Sequence, residues 1–588
     1  MRTIDWLIIV FYLVGTFALG LALAGRNKSQ KDYFLAGRKL SGWLAGASMA
    51  ATTFSIDTPL YVAGLVGTRG LAGNWEWWSF GLAHVAMAVV FAPMWRRTEV
   101  LTDAAFTELR YGGQNAARLR AVKAFLLAVP INCIGIGYAF LAMRKVAEAL
   151  EIVNGHILFA GLSDTFLLLF VVACFMLIYT VFGGLWAVVI TDFLQLLLAL
   201  IGAFALAYIA LVAVGGMPGL LIKIEEAGRP ELLSFFPWTW ENNRLHWMSD
   251  AGISFSSFIA FLSFQWWSFR RSDGGGEFIQ RMLATKNEQD AKLAGWVFLI
   301  VNYLLRSWLW IIVALCAVVL LPGQGQEYWE LSYPTLAVNY LPPALLGIVV
   351  VSLVAAFMST VSTSVNWGAG YLTHDLYHRF FRKEAGEKEL IFVGKLASIL
   401  LMFLGIITAL ISDSIGSVFR LVIAIGTGPG VVLVLRWFWW RINAAAELAA
   451  MVAGFFIGIT TSLIPIFRVE DYGVRLFVTT LLTAFCWLLV LICTPPESNL
   501  VLGRFVSKVK PPGPGWMKLR KRYGVKEIDK LSDLIFRFIM SSIVLFGGML
   551  CIGSFLLYQQ QAGWIYLCFS VFGIVALNKR SIRNILSS

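Results

Sequence analysis

The sequence predicts an all-α protein that crosses the membrane many times. Of its 588 residues, 59% are hydrophobic and only 14% are charged, and the mean hydropathy is +0.76. A soluble domain is about half apolar and about a quarter charged. Apolar runs of about 20 residues, enough to span the hydrocarbon core as a helix, recur along the chain. These observations exclude an ordinary soluble globular protein and imply the lipid bilayer as a partner.

About fifteen apolar runs are predicted to be transmembrane helices. They lie near residues 5–25, 43–69, 75–95, 119–150, 163–181, 184–214, 249–269, 290–321, 335–373, 389–411, 413–436, 445–467, 474–494, 533–558 and 563–578.

The basic residues predict how the chain is oriented. Lys and Arg cluster in alternate loops, within 26–39, 96–123, 270–292, 379–388, 436–441 and 504–537. By the positive-inside rule these segments are cytoplasmic. This pattern puts the N-terminus outside and the C-terminus in the cytoplasm, in the plasma or inner membrane of a cell. It also explains the net charge of +13 without a nucleic-acid partner.

A polar stripe marks the ninth apolar run, within residues 345–378. Ser352, Ala356, Ser359 and Thr363 recur at i, i+4, i+7 and i+11, so they share one helix face, and Ser362 lies beside it. Two interpretations are open for this stripe. It could allow close helix packing, with hydroxyls bonded back to i−4 carbonyls. It could instead line a site for a bare cation with oxygen atoms.

The second run is predicted to be a broken helix. Pro59 removes a backbone donor and disfavours the helical conformation at the preceding residue. The polar residues just before it are Thr52, Thr53, Ser55, Asp57 and Thr58. Irregular backbone at membrane depth is tolerated only where it lines a protein cavity. The alternative is a simple proline kink, with Asp57 at the outer surface.

Two further polar groups lie within apolar runs. Glu76 belongs to a segment that reads NWEWWS at 74–79, which is either an aromatic belt at the interface or a cavity wall with a hydrogen-bond acceptor. Asp192 lies eight residues beyond the Gly183–Gly184 turn, inside a helix, where a carboxylate costs about 2.5–3.5 kcal/mol. No basic residue is close to Asp192 in sequence. A bound cation is therefore its expected partner, with the hydroxyl stripe as co-ligand.

Three motifs in order resemble the sodium/solute symporter family, which includes the sodium/glucose and sodium/sialic acid cotransporters. They are DYFLAGR at 32–38, FGGLWAVVITDFLQ at 182–195, and AAFMSTVSTSVN at 355–366 followed by HDLYHRF. The resemblance covers roughly residues 5–495. It implies a leucine-transporter-like fold of two inverted five-helix repeats with broken first helices. In the second repeat, the seventh run has no Gly or Pro, and only its serines suggest a weak point.

The resemblance also implies a division of the chain. We expect an N-terminal helix and cytoplasmic link, two five-helix repeats, two further helices, a mobile basic cytoplasmic linker, and a C-terminal hairpin with its tail. These are residues 1–42, 43–214 and 249–436, 445–494, 495–532, and 533–588, respectively.

Two sodium ions are implied by the resemblance. One site would use the backbone carbonyls of Ala51, Phe54 and Ala356 with the hydroxyls of Ser359 and Thr360. The second site would use Asp192, Ser359, Ser362 and Thr363.

The expected activity is sodium-driven import of a small polar solute by alternating access. A sugar or sugar acid is favoured, and an amino acid, carboxylate or nucleobase is the alternative. The candidate solute contacts are Thr53, Asp57, Thr58, Glu76, Ser79, Trp266, Trp267, Asn302 and Arg306. Of these, Thr58, Glu76, Ser79 and Asn302 stand at positions where the resemblance implies contacts with a sugar. Arg306 could instead form a structural ion pair with Asp57 or Glu76, and Arg420 is expected to snorkel to the outer face.

Two other classes are remote alternatives. A membrane enzyme would need a catalytic cluster, for which His374, Asp375 and His378 are the candidates, but no third ligand or nucleophile accompanies them. A sensor input module would need a signalling domain, for which residues 579–588 are too short. The sequence therefore predicts no enzyme activity, and no protein partner is evident.

Overall fold

The computed structural model describes residues 1–23, 29–153, 156, 163–241, 244–248, 252–268, 272–321, 323, 325–411 and 415–586. Four basic loop residues used in the topology prediction, Arg26, Lys28, Arg270 and Arg271, lie outside the described residues.

Helices dominate the described residues. In chain order they are α1 (Thr3–Leu23), α2 (Gln30–Leu35), α3 (Gly42–Thr53), α4 (Asp57–Gly73), α5 (Trp75–Thr98), α6 (Phe106–Arg110), α7 (Gly113–Ala149), α8 (Asp164–Val214), α9 (Gly216–Glu226), α10 (Phe255–Ser263), α11 (Gly276–Ala284), α12 (Glu288–Leu320), α13 (Gln326–Tyr340), α14 (Leu345–Phe381), α15 (Glu387–Leu410), α16 (Ile415–Phe438), α17 (Ala444–Leu463), α18 (Tyr472–Cys493), α19 (Asn499–Val509), α20 (Met517–Arg522), α21 (Leu531–Leu556) and α22 (Gln560–Leu586).

The predicted number of membrane crossings is confirmed. Eleven helical segments within the described chain are long and apolar enough to span a bilayer, among them the second part of α8 from Gly184 to Val214. Shorter apolar helices in α1 and the first part of α8 correspond to two further predicted crossings. The interrupted pairs α3–α4 and α10–α11 supply the remaining two.

The first interrupted helix breaks where the sequence predicted. Helix α3 ends at Thr53, and Phe54 leaves the helical conformation with φ −82° and ψ 61°. Helix α4 begins at Asp57 and carries Pro59 in its first turn. Backbone N–H groups in the first turn have no acceptor within the helix, so proline costs no hydrogen bond there. The alternative of a mere proline kink is therefore wrong, because two separate helix ends face each other inside the protein.

The second interrupted helix corrects a sequence expectation. The seventh crossing was expected to end near residue 269, with a basic loop after it. Instead, α10 ends at Ser263 and α11 continues from Gly276 to Ala284. A Cβ on Gly276 would lie 1.9 Å from Trp367 of α14, so only glycine allows this close approach. Arg281 is consequently a buried helix residue and not part of an exposed loop.

The long helices form the frame around these breaks. Helix α8 kinks at Gly184, whose φ of 57° is left-handed, in agreement with the turn predicted there. Its second part packs along α14 and also contacts α3. Helix α14 is buried over the whole predicted hydroxyl stripe. The two breaks and the stripe therefore meet inside the protein.

A small hairpin covers one side of the molecule. Strands β1 (Trp238–Glu241) and β2 (Arg244–Trp247) pair antiparallel, with Trp238 opposite Trp247. Both tryptophans contact Phe258 of α10, at centroid distances of 5.3 and 5.8 Å. This aromatic packing holds the hairpin against the first half of the second broken helix.

Helix α6, which follows α5, is joined to the end of α14 by the Glu108–Arg379 ion pair and to the loop after α16 by Arg110. We call this region the basic side. There the basic linker, which was expected to be mobile, packs against the helices. Trp516 donates from its indole nitrogen to the carbonyl of Trp437 at 2.8 Å. The Arg110 guanidinium lies 5.3 Å from the Phe505 ring and 4.8 Å from the Trp516 ring. These contacts fix α19 and the turn before α20 to α6 and to the end of α16.

Candidate functional site

The predicted ion-binding elements come together at the end of α3. Thr360 of α14 donates from its hydroxyl to the carbonyl of Thr52 at 2.9 Å. The Thr52 hydroxyl lies 3.2 Å from that of Thr363. Unwound carbonyls at a half-helix C-terminus are a recurring way to coordinate sodium in transporters. The structure thus places this helix end against the hydroxyl stripe.

All five residues of the first predicted sodium site are buried at this junction. Ala51 and Phe54 lie at the end of α3, and Ala356, Ser359 and Thr360 lie on the facing part of α14.

Arg306 reaches the same helix end from α12. Its guanidinium donates to the carbonyl of Ala50 at 2.6 Å and to the hydroxyl of Thr53 at 2.7 Å. It also bonds Asn302 on its own helix and lies 5.2 Å from the ring of Phe54. A cation at a helix C-terminus offsets the negative end of the helix dipole. Arg306 therefore stabilises the broken end of α3.

Asp192 lies beside the stripe, as the sequence predicted. Its Oδ1 accepts a hydrogen bond from the Ser359 hydroxyl at 2.6 Å. Its Oδ2 accepts one from the Ser48 hydroxyl of α3 at 2.5 Å. Ser362 instead donates to the carbonyl of Ser359 at 3.2 Å, so its hydroxyl is bonded within α14. Asp192 is fully buried and joins α8 to both α3 and α14.

The sequence analysis missed the basic partner of Asp192. Arg281 approaches from α11, with its Nη2 3.4 Å from Asp192 Oδ2, and both side chains are fully buried. The same nitrogen donates to the Thr363 hydroxyl at 2.7 Å. Arg281 is 89 residues away in sequence, and its basic neighbours suggested a solvated loop. Recognising α11 as the second half of a broken helix would have been needed to find it.

A cavity opens at the break between α3 and α4. Its lining combines hydroxyls, carboxylates and aromatic rings. The lining residues are Thr52, Thr53, Ser55, Asp57, Thr58, Tyr61, Trp77, Phe80, His84, Tyr138, Glu277, Asn302, Tyr303, Thr360, Ser364, Ile415 and Phe419. Four predicted solute contacts belong to this set, namely Thr53, Asp57, Thr58 and Asn302. Sequence reasoning missed His84, Glu277 and the other aromatic residues, whereas Trp77 belongs to the 74–79 segment that was considered as a cavity wall.

The other predicted solute contacts lie elsewhere. Trp266 and Trp267 form a short turn after α10, where Trp266 stacks on Phe538 of α21 at 6.2 Å and Trp267 contacts Phe264 at 5.6 Å. Ser79 is fully buried and lies 3.2 Å from the side-chain nitrogen of Gln265. None of these side chains is among the residues that line the cavity.

The Glu76 carboxylate is bonded to two arginines and a tyrosine. Arg420 of α16 donates to both its carboxylate oxygens, at 2.6 and 2.8 Å. Arg69 of α4 lies at 3.0 Å and the Tyr61 hydroxyl at 2.7 Å. Glu76 is fully buried, whereas the two arginine side chains are 19% and 21% exposed. The expected snorkelling of Arg420 and the suggested Glu76–Arg306 pair are therefore both wrong.

The cluster considered for an enzyme also has structural partners. Arg120 forms an ion pair with Asp375 at 2.7 Å, and the Thr102 hydroxyl donates to the same carboxylate at 2.6 Å. The rings of His374 and His378 lie 5.7 Å apart. In the part of the chain that the structure describes, no group of three or more His, Cys, Asp or Glu residues could hold a metal ion. Asp375 thus fastens α14 to α7.

Comparisons with known proteins agree with this architecture. The profile of the sodium:solute symporter family matches residues 33–454. The sodium/glucose cotransporter 1 of Mus musculus is 28% identical over 505 residues, which cover 78% of this chain and 71% of that protein. The sodium/glucose cotransporter of Vibrio parahaemolyticus is 26% identical over 486 residues, covering 76% of this chain and 83% of that protein.

A third relative and a solved structure extend the comparison. The sodium/myo-inositol cotransporter 2 of Rattus norvegicus is 26% identical over 521 residues, covering 80% of this chain and 71% of that protein. A Na+-coupled sialic acid symporter, solved in a substrate-bound outward-open state, superposes with a TM-score of 0.66. It is 20% identical, and the match covers 84% of this chain and 99% of that chain. This likeness confirms the leucine-transporter-like fold.

Proposed function

This chain belongs to the sodium:solute symporter family, a family of sodium-coupled membrane transporters, and we propose that it imports a sugar-like polyhydroxylated solute together with two sodium ions. The cavity at the α3–α4 break carries the proposal for the solute. It adjoins the hydroxyl stripe of α14 through Thr360, which lines the cavity and bonds the carbonyl of Thr52. Solute and ion would therefore bind next to each other at one helix end.

The lining chemistry supports a neutral polyol. Oxygens of Asp57 and Glu277 can accept hydrogen bonds from solute hydroxyls, and Asn302 can both donate and accept. Aromatic rings such as Trp77 and Phe419 offer apolar faces for the C–H surface of a sugar ring. Two carboxylates would repel an anionic solute. Within the favoured class, this lining supports a neutral sugar over a sugar acid.

Uptake into proteoliposomes tests the solute class. Radiolabelled glucose, myo-inositol, sialic acid, an amino acid, a carboxylate and a nucleobase should be compared under an inward sodium gradient and an equal potassium gradient. We expect sodium-dependent accumulation of a neutral polyol. Accumulation of a different class alone would contradict the proposed solute but not the coupling to sodium.

We propose the first sodium site at the carbonyls of Ala51, Phe54 and Ala356 with the hydroxyls of Ser359 and Thr360. The Thr360–Thr52 hydrogen bond supports it, because that bond places the end of α3 against this part of α14. An ion there would join a broken helix to the frame, so that its binding is linked to helix movement.

We propose the second ion at Asp192, Ser359, Ser362 and Thr363. Replacing Asp192 with asparagine keeps the side-chain size and removes the charge. Sodium activation of uptake should then change from sigmoidal toward hyperbolic, and the sodium-to-solute flux ratio should fall from two to one. Parallel measurement of sodium and solute fluxes in proteoliposomes gives this ratio. A wild-type ratio of one would contradict the second ion.

The repeat boundaries at 43–214 and 249–436, and the flanking segments 1–42, 445–494, 495–532 and 533–588, remain part of the proposal. The two broken helices support it, because each lies at the start of its repeat. In such folds the solute site is alternately opened to either side by movement of one set of helices against the other. The membrane potential contributes about 2.3 kcal/mol per charge per 100 mV.

We place the basic side of the molecule in the cytoplasm of the cell, with the N-terminus outside and the C-terminus inside. Exposed positions permit a direct test, and a cysteine in place of Lys521 or Glu226 should leave the packing intact. A membrane-impermeant maleimide applied to intact cells should label the cysteine at position 226 and spare the one at 521. Labelling of the cysteine at position 521 from outside would show that the orientation is the opposite of the proposed one.

A further inference from the structure

The guanidinium of Arg281 is bonded to three different helices. Its Nε donates to the Ser48 hydroxyl of α3 at 3.1 Å. Its Nη2 donates to the Thr363 hydroxyl of α14 at 2.7 Å and lies 3.4 Å from Asp192 Oδ2 of α8. Its Nη1 donates to the neighbouring Gln280 at 2.8 Å. This buried arginine therefore joins the second broken helix to the first and to both long helices.

These contacts overlap with the second proposed sodium site. Two of its four side chains, Asp192 and Thr363, already interact with Arg281. An ion ligated by the same oxygens would lie within a few ångströms of the guanidinium. Two positive charges so close together in a water-poor interior repel each other strongly. The ion and the guanidinium therefore cannot both hold these two oxygens in the observed geometry.

We propose that Arg281 is a tethered counter-cation that competes with the second sodium ion for Asp192 and Thr363. The inference rests on the proposed function and adds a residue that sets sodium affinity. Without sodium, the arginine balances the buried carboxylate, which would otherwise be costly to leave unpaired. When sodium enters, the arginine leaves these oxygens.

Displacement of Arg281 would have a mechanical consequence. In the observed arrangement, the bonds from Arg281 tie α11 to Ser48 on α3, Asp192 on α8 and Thr363 on α14. The proposed ligands of the second ion lie on α8 and α14 alone. Sodium can therefore replace the arginine at Asp192 and Thr363 without replacing the link from these residues to α11, while α3 keeps its own bond from Ser48 to Asp192. Binding of this ion removes the Arg281 ties between α11 and the frame, whereas the packing of Gly276 against Trp367 of α14 remains.

Equilibrium binding of radioactive sodium to the purified full-length protein tests the competition. Arg281→Gln removes the competing charge and should raise the sodium affinity of the Asp192 site at least about tenfold, which corresponds to about 1.4 kcal/mol. Arg281→Lys retains a positive charge and should give an affinity between those of the wild type and the glutamine variant. The lysine variant also provides the test if the glutamine variant does not fold. Arg96→Gln is the matched control, because Arg96 donates to the Thr285 carbonyl just after α11.

Chemical rescue sharpens the test. In Arg281→Ala, added methylguanidinium should inhibit sodium binding competitively, whereas the wild type should be insensitive to it. Unchanged or weakened sodium affinity in Arg281→Gln, with normal binding by the wild type, would overturn this inference alone. Absence of sodium binding in both proteins would overturn the proposed function as well. An equal gain in sodium affinity in Arg96→Gln would show a general loosening of α11. It would also refute the competition between Arg281 and sodium.

Discussion

Glu76→Gln is expected to abolish transport and to lower thermal stability together. The carboxylate of Glu76 accepts hydrogen bonds from Arg420, Arg69 and Tyr61. Glutamine keeps the size but places an amide donor against these donors and leaves two arginines without their acid. Removing one partner of a buried ion pair costs about 3–5 kcal/mol. Because Glu76 joins α4 and α5 to α16, the loss of stability should affect the whole protein and not only the solute site.

Thermal unfolding in detergent, with and without sodium, measures this effect. Arg69→Gln is the matched control, since the two bonds from Arg420 to Glu76 would persist, and we expect a smaller loss of stability. If Glu76→Gln lost uptake while its melting temperature stayed at the wild-type value, Glu76 would be a solute contact after all. That was the role suggested by its position in the resemblance.

The course of the chain through the membrane could be predicted from sequence because hydrophobic length is a strong local signal. The first break could also be predicted, since Pro59 and the polar residues before it act on their immediate neighbours. The second break carries no such signal within α10. Its glycines follow the basic pair at 270–271, and the local composition is that of a loop. The packing of Gly276 against Trp367 and the burial of Arg281 show that α11 lies inside the protein.

The site could be predicted only in part for the same reason. A periodic hydroxyl stripe and a membrane-buried Asp192 are visible along one helix each, so their role as polar elements of one site could be inferred. Contacts between residues far apart in sequence could not be inferred in this way. Arg281 meets Asp192, and Arg420 meets Glu76 across 344 residues. Charged residues near helix ends look alike in sequence, whether they reach solvent or fold back onto a buried acid.

Ser359→Ala is expected to weaken the activation of uptake by sodium strongly. Its hydroxyl donates to Asp192 Oδ1 at 2.6 Å and is proposed as a ligand in both sodium sites. A hydroxyl oxygen has two lone pairs, so one side chain can serve two ions. Loss of a hydrogen bond to a charged group costs about 1.5–3 kcal/mol. We therefore expect the sodium concentration for half-maximal uptake to rise by about tenfold or more.

A second serine on the same helix face provides the control for Ser359→Ala. Ser352 is equally buried, but its hydroxyl donates to the carbonyl of Val349 on its own helix at 2.7 Å. Ser352→Ala should therefore change sodium activation little, although it removes the same atom from the same helix. Solute uptake measured against sodium concentration in proteoliposomes distinguishes the two variants. Equal sodium activation in Ser359→Ala and the wild type would refute a shared ligand, and Ser359 would then serve only to orient Asp192.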